Sequence, residues 1–182
     1  MVERGEDMAA KKGLLMVFTG DGKGKTTAAL GLSIRAMGHG FKVCIIQFIK
    51  GAWKYGELES MKRFSDLMDF HVTGRGFTWK SEDLEKDKKA ARAGWQLAKS
   101  AITSEKYRVV ILDELTYLIK LNMLDEKEVV ETLLNKPDNL HIVVTGRNAS
   151  SGLKEAADLV TDMQAVKHPF SQGIKAQKGV EF

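Results

Sequence analysis

Cysteine, proline and long apolar runs are scarce in this sequence, and each scarcity excludes a class of protein. The 182 residues include one cysteine, Cys44, so an internal disulfide or a multi-cysteine zinc site within one chain is excluded. The two prolines argue against a proline-rich linker. The sequence contains no run of 18 apolar residues, so no transmembrane helix is predicted. Residues 1–12 lack the apolar stretch of a signal peptide. We therefore expect a cytoplasmic protein without a membrane partner.

Composition and charge indicate one globular domain with a small basic excess. Hydrophobic residues make up 43% of the chain, enough to form a core without cross-links. The net charge of +4 suits anionic ligands such as nucleotides, and it suits nucleic acid or an anionic membrane almost equally well. Charge alone therefore does not select a ligand.

Apolar runs alternate with helix-length amphipathic stretches along the chain. Strands are predicted where these runs occur, at residues 14–18, 42–48, 70–73, 108–112, 140–145 and 159–166. Helices are predicted between them, at residues 26–37, 82–102, 129–134 and 151–157. Near-continuous apolar strands are typical of a parallel sheet covered on both faces. The pattern predicts a doubly wound α/β fold in one domain, residues 13–182, preceded by a short segment, residues 1–12.

A glycine-rich turn joins the first strand to the first helix. Its sequence, Thr-Gly-Asp-Gly-Lys-Gly-Lys-Thr-Thr over residues 19–27, approximates the phosphate-binding P-loop. Glycines let backbone N–H groups turn toward a phosphate, and the helix N-terminus adds positive partial charge. The residues predicted to bind phosphates are Gly20, Asp21, Gly22, Lys23, Gly24, Lys25, Thr26 and Thr27.

Two other interpretations of this turn compete with the P-loop. Thr19 occupies the first glycine position of the P-loop motif and Gly20 comes one residue late, so a glycine-rich turn without a ligand is the alternative. A dinucleotide fingerprint would need glycine where Lys25 stands. The order of strand, turn and helix favours a P-loop of the RecA-like type.

A second half of a nucleotide site follows the strand at residues 109–112, which runs into Asp113 and Glu114. Such acids lie beside the metal in P-loop proteins, although adjacent acids also occur on plain surfaces and as helix caps. Because neighbours on a strand point to opposite faces, at most one of the two acids can face a metal while the strand continues.

Candidate arginines for hydrolysis are Arg35, Arg75 and Arg147. An ATPase or kinase therefore remains an alternative. So does a nucleotide-dependent module that binds RNA or DNA, although no aromatic-basic cluster favours it.

Several further strings occur in a fixed order. They are Arg-Ala-Met-Gly-His-Gly (35–40), Gln-Phe-Ile-Lys-Gly (47–51), Gly-Phe-Thr-Trp (76–79), Leu-Asp-Glu-Leu-Thr-Tyr (112–117), Val-Thr-Gly-Arg (144–147), Val-Lys-His-Pro-Phe (166–170) and Gly-Ile-Lys-Ala-Gln-Lys-Gly (173–179). Together with the P-loop, this ordered set resembles the ATP:corrinoid adenosyltransferases of the single-domain P-loop type. The resemblance extends from about residue 13 to residue 182.

The resemblance implies that a Co(I) corrinoid attacks the 5′-carbon of ATP and displaces triphosphate. Lys25 and the P-loop would then stabilise the leaving group. Thr26 and Glu114 would hold Mg²⁺ (or Mn²⁺). Asp113 would contact these ligands and not the metal itself. In this family the nucleotide lies in the P-loop in the reverse of its usual direction.

The resemblance also assigns the corrinoid side of the site. Phe77 and Trp79 would press on the lower face of the corrinoid, exclude an axial ligand and so ease reduction of Co(II). On the sequence alone these two aromatics are more simply core residues or part of a partner interface. Trp53 could also line the site. A homodimer and an electron donor such as a flavodoxin are implied as well. Residues 1–12 would either cover the partner's active site or be disordered.

The string Asp-Phe-His-Val-Thr-Gly at residues 69–74 matches D-x-H-x-x-G, a signature of other B12 proteins in which the histidine coordinates cobalt. The downstream elements of that class are missing, and a histidine ligand would oppose the ligand-free cobalt that reduction requires. We therefore expect His71 to be an ordinary strand residue.

Overall fold

The computed structural model describes residues 12–49, 51, 55–74, 76 and 84–181. Its strands are β1 (Leu15–Thr19), β2 (Val43–Gln47), β3 (Met68–Val72), β4 (Val109–Asp113), β5 (His141–Thr145) and β6 (Leu159–Asp162). Its helices are α1 (Lys25–Gly38), α2 (Gly56–Met61), α3 (Leu84–Thr103), α4 (Leu115–Lys120), α5 (Glu126–Leu134) and α6 (Ser151–Ala156). Short 3₁₀ turns follow at Lys62–Phe64 and Pro169–Gln172. None of these helices combines the length and the apolar character needed to cross a bilayer.

The six strands form one parallel sheet in the order β3-β2-β4-β5-β1-β6. The strand that leads into the glycine-rich turn, β1, is separated by one strand from β4, which leads into the two acids. Because all strands point the same way, their carboxyl ends share one edge of the sheet. The turn and the acids therefore meet at that edge.

The sheet is covered on both faces by helices, as its buried strands require. On each strand alternate residues point to opposite faces. Leu15 and Val17 pack in the layer with α3, α4 and α5, whereas Met16 and Phe18 pack in the layer with α1. All five residues of β1, β2 and β4 are buried, and this explains why their sequences are continuously apolar instead of alternating.

The predicted α/β fold is confirmed, with differences at the element level. The last strand ends at Asp162, earlier than predicted, and all four of its residues are exposed because it is an edge strand. Two short helices, α2 and α4, were not predicted, since six residues are too few for a helical period to show. Asp125 caps α5 and Ser150 caps α6, because the Asp125 side chain accepts a hydrogen bond from the Glu128 N–H and the Ser150 side chain accepts one from the Leu153 N–H.

Candidate active site

The glycine-rich turn forms a tight loop at the carboxyl end of β1. Gly20 and Gly24 have φ angles of +98° and +111°, a region that side chains disfavour. The Gly22 N–H donates to the Met163 carbonyl at 2.6 Å, so the loop rests on the chain that leaves β6. A Cβ atom on Gly22 would lie 2.6 Å from the carbonyl oxygens of Met163 and Gln164. Close backbone packing therefore requires glycine at this position.

Lys25, the first residue of α1, folds back over this loop. Only 8% of its surface is exposed, and its Nζ donates to the carbonyls of Gly20 at 2.7 Å and Gly22 at 2.5 Å. Burial, and secondly the positive charge of Arg147, lower the pKa of Lys25. A desolvated ammonium that donates to neutral carbonyls is well placed to exchange them for phosphate oxygens.

The Asp113 carboxylate lies fully buried at the end of β4 and accepts three hydrogen bonds. Its Oδ1 accepts from the Thr26 hydroxyl at 2.8 Å and from the Thr145 hydroxyl at 2.6 Å. Its Oδ2 accepts from the Gln47 amide at 2.9 Å. Three strand ends and the P-loop helix thus converge on one carboxylate, which fixes the orientation of the Thr26 hydroxyl.

Glu114 lies at the point where β4 ends and α4 begins. Its φ of +65° turns the chain out of the strand, so strand alternation no longer separates the two acids. Burial, and secondly the negative charge of Glu114, raise the pKa of Tyr117, and the same charge acts on Lys25. Both predicted acids therefore lie at the phosphate-loop edge, with Asp113 in direct contact with Thr26.

The oxygen atoms at this edge could coordinate a hard cation such as Mg²⁺ only together with a bound phosphate group. Hydroxyl and carboxylate oxygens are the ligands that Mg²⁺ prefers. Within the part of the chain that the structure describes, no group of three or more His, Cys, Asp or Glu residues could hold a metal alone. A cation bound here would therefore take its remaining ligands from phosphate and water, as is usual for Mg²⁺.

The other predicted phosphate-site residues are more exposed. Lys23 pairs with Glu181 at 2.8 Å near the chain end, and Asp21 lies 4.0 Å from Arg147. Thr27 is exposed on α1. Phe77, Trp79, Trp53 and Arg75 lie outside the described residues.

The structure adds three residues to which the sequence reasoning gave no role: Gln47, Thr145 and Tyr55. Gln47 and Thr145 end strands that flank β4, and that position is the signal that could have identified them.

Two of the cavities on the described surface differ in their position relative to the phosphate loop. One of about 460 Å³ borders the phosphate loop and is lined by Thr19, Gly20, Asp21, Asn148, Lys154 and Asp162, among others. The other, of about 650 Å³, lies between α3 and the α4–α5 connection, away from the phosphate loop, and includes Arg92, Trp95 and Glu128. Only the first is contiguous with the site described above.

His71 lies partly exposed on the edge strand β3. The aspartate of the D-x-H-x-x-G string, Asp69, accepts hydrogen bonds from Lys106 at 2.6 Å and from the Tyr107 hydroxyl. These two bonds lower the pKa of Asp69. The string is thus part of an ion-paired sheet edge, which agrees with its interpretation as ordinary strand sequence.

Comparison with known proteins gives a consistent result over nearly the whole chain. Residues 11–182 match the family described as ATP:corrinoid adenosyltransferase BtuR/CobO/CobP. A corrinoid adenosyltransferase of Pseudomonas aeruginosa is 45% identical over 172 residues, which cover 94% of this chain and 85% of that protein. One from Sinorhizobium sp is 47% identical, covering 94% and 81%, and one from Escherichia coli K12 is 42% identical, covering 94% and 87%.

A solved structure is similar in fold alone. The flagellar accessory protein FlaH from Methanocaldococcus jannaschii superimposes with a TM-score of 0.57 at 12% identity, covering 84% of this chain and 71% of that one. This likeness concerns the α/β fold, and the family is given by the sequence match. The chain belongs to the ATP:corrinoid adenosyltransferase BtuR/CobO/CobP family.

Proposed function

We propose that this protein transfers the 5′-deoxyadenosyl group of ATP to the cobalt of a reduced corrinoid and releases triphosphate. The observation that carries the proposal is the buried Lys25 ammonium closed over a phosphate loop, in a chain that matches this family over residues 11–182. The acceptor would be cobalamin or one of its corrinoid precursors.

In the proposed reaction, the electron pair of Co(I) attacks C5′ and forms the cobalt–carbon bond. The C5′–O bond breaks, and its electron pair leaves with the triphosphate oxygen. Co(I) is a strong nucleophile, so the protein need not supply a base. Its contribution is to hold C5′ in line and to stabilise the charge that grows on the leaving group. Lys25 and the loop N–H groups at residues 20–27 would do this.

Mg²⁺ is the proposed metal, with Thr26 and Glu114 as its protein ligands and Asp113 orienting Thr26. Bound there, it would neutralise part of the triphosphate charge. The 2.8 Å bond from Thr26 to Asp113 and the proximity of Glu114 to Lys25 support this assignment. Mn²⁺ would be an acceptable substitute, because its oxygen-rich ligand preference is similar.

The metal assignment predicts that Thr26→Ala and Glu114→Gln each raise the Mg²⁺ concentration needed for half-maximal turnover, by roughly tenfold or more. The measurement is a Mg²⁺ titration at saturating ATP. Thr103→Ala is the matched control, because that hydroxyl donates to the backbone carbonyls of Lys99 and Ser100 at the far end of α3. An unchanged Mg²⁺ requirement in both site variants would rule out these two ligands.

Phe77 and Trp79 are proposed as the aromatic face that excludes an axial cobalt ligand, an assignment that rests on the family match of residues 76–79. We also propose a homodimer, an external reductant such as a flavodoxin, and a cytoplasmic location. Exposed apolar side chains on β6 and beyond it (Leu159, Val160, Val166 and Phe170) support a protein partner for this end of the chain.

One incubation separates the proposed function from its alternatives. The protein is mixed with ATP, Mg²⁺ and chemically reduced cobalamin, the absorbance is followed, and the phosphate product is identified. Triphosphate and a light-sensitive cobalt–carbon bond are expected. ADP with phosphate, and no cobalt alkylation, would instead indicate an ATPase or kinase. Tight, steeply salt-dependent binding of nucleic acid without alkylation would indicate a binding module.

His71→Ala is expected to leave adenosyl transfer within about twofold of the wild-type rate, because surface substitutions of this kind have small effects. The histidine lies on an edge strand and its neighbour Asp69 is engaged by Lys106 and Tyr107. The measurement is turnover with reduced cobalamin, together with ATP affinity and a melting curve. Complete loss of turnover, with folding and ATP binding intact, would make His71 a cobalt ligand after all.

A further inference from the structure

Buried hydrogen bonds continue from the metal corner away from the P-loop. The Gln47 amide donates to Asp113 through Nε2, and its Oε1 accepts from the Tyr55 hydroxyl. Gln47 is 1% exposed and Tyr55 6% exposed. Every donor in this row points toward Asp113: Tyr55 to Gln47, Gln47 to the carboxylate, and Thr26 to the carboxylate from the opposite side.

This direction has a physical consequence. The Gln47 amide can rotate by a half turn, which would place its oxygen against the Asp113 carboxylate. The Tyr55 hydroxyl disfavours this rotation, because it donates to the amide oxygen and would lose that bond if the amide turned. Tyr55 thus fixes the amide, the amide fixes Asp113, and Asp113 fixes the Thr26 hydroxyl.

We propose that Gln47 and Tyr55 are positioning residues for the nucleotide reaction, acting through Asp113 on the Thr26 hydroxyl and its metal. Neither residue is assigned a contact with ATP or the corrinoid. The assignment of a metal to Thr26 rests on the proposed function, whereas the hydrogen bonds themselves do not.

Gln47 also contacts the chain that leaves β3. Its backbone carbonyl accepts from the Thr73 N–H at 2.9 Å and from the Thr73 hydroxyl at 3.1 Å. The next residue, Gly74, packs so closely on the backbone of Phe48 and Ile49 that a Cβ atom would not fit. Tyr55 is the N-cap residue that precedes α2. The backbone of Gln47 is therefore held by the chain that leaves β3, as a side chain that positions a carboxylate requires.

The test is the affinity for ATP by calorimetry, with and without Mg²⁺ and in the absence of corrinoid. Tyr55→Phe keeps the ring and removes only the hydroxyl. We expect it to weaken ATP binding about fivefold in Mg²⁺, the effect of one typical hydrogen bond, and by less than about twofold without Mg²⁺. Gln47→Met, which keeps the length of the side chain and removes both bonds, is expected to give a larger loss with the same Mg²⁺ dependence.

A double-mutant cycle tests the transmission directly. Tyr55 and Thr26 share no hydrogen bond, so independent effects would add. If the row of bonds positions Thr26, the factor by which Tyr55→Phe weakens ATP binding should be at least about threefold smaller in the Thr26→Ala background than in the wild type. Tyr107→Phe is the matched control: it also removes a tyrosine bond to a carboxylate, but at the amino edge of the sheet, and should leave ATP affinity unchanged in Mg²⁺.

Equal weakening with and without Mg²⁺, or additive effects in the cycle, would overturn the proposal and leave Tyr55 and Gln47 as packing residues. Melting curves of each variant separate loss of folding from loss of binding. Because no corrinoid is present, the result stands apart from the test of adenosyl transfer, and failure of one is distinguishable from failure of the other.

Discussion

Lys25→Ala is expected to slow adenosyl transfer by about 10²- to 10³-fold at saturating ATP, the usual cost of removing one preorganised group from a developing negative charge. The Lys25 ammonium is buried and donates to the Gly20 and Gly22 carbonyls. Its replacement therefore removes a buried positive charge from the place where the triphosphate is proposed to depart. The measurement is single-turnover formation of triphosphate with chemically supplied Co(I), which keeps cobalt reduction out of the rate.

Lys136→Ala is the matched control for this prediction. Lys136 also donates to a backbone carbonyl, that of Gly13 at 2.6 Å, and burial lowers its pKa as well. It lies at the amino edge of the sheet, so its loss should affect stability and not turnover. Lys25→Arg keeps the charge in a different shape and should recover part of the rate. A loss below about tenfold in Lys25→Ala would contradict a role in stabilising the leaving group.

Phe77→Ala and Trp79→Ala are expected to reduce turnover by at least about tenfold more when Co(II) must be reduced on the enzyme than when Co(I) is supplied, a barrier difference of about 1.4 kcal/mol. The proposed aromatic face acts on the reduction and not on alkylation, because it keeps an axial ligand away from cobalt. Both substitutions are assayed in parallel with an enzymatic reductant and with a chemical one.

The comparison between the two assays is the informative quantity. Misfolding or weaker ATP binding would lower both rates by the same factor, and so would a role in packing alone. Equal losses in the two assays would remove the aromatic-face assignment for Phe77 and Trp79. Trp95→Phe is the control for nonspecific damage. It is a conservative change of a tryptophan on the buried face of α3.

The sequence predicted the parts of the molecule that depend on local patterns. The strands at β1, β2, β4 and β5 follow from continuous apolar runs, and the P-loop follows from nine adjacent residues. The fold follows from the same alternation of strand and helix. The left-handed turn at Glu114 was not predicted, because nothing in its neighbours requires it, and it changes which of the two acids can face the site.

The arrangement around Asp113 could not be predicted for a different reason. Thr26 lies 87 positions from Asp113 and Gln47 lies 66 positions from it. Which strand ends become neighbours is decided by the order of strands in the sheet, and that order is a property of packing and not of any local pattern. Gln47 was within a recognised string, but its role requires knowing that β2 lies beside β4.

The strand order also determines when the nucleotide site can form during synthesis. β1, the first strand made, pairs only with β5 and β6, whose residues come more than 120 positions later. The phosphate loop in turn bonds to Met163. A ribosome-bound chain that stops before β5 therefore has its P-loop sequence complete but no strand on either side to hold it. ATP binding should emerge last, with the C-terminal end, although the residues that bind the phosphates are among the first translated.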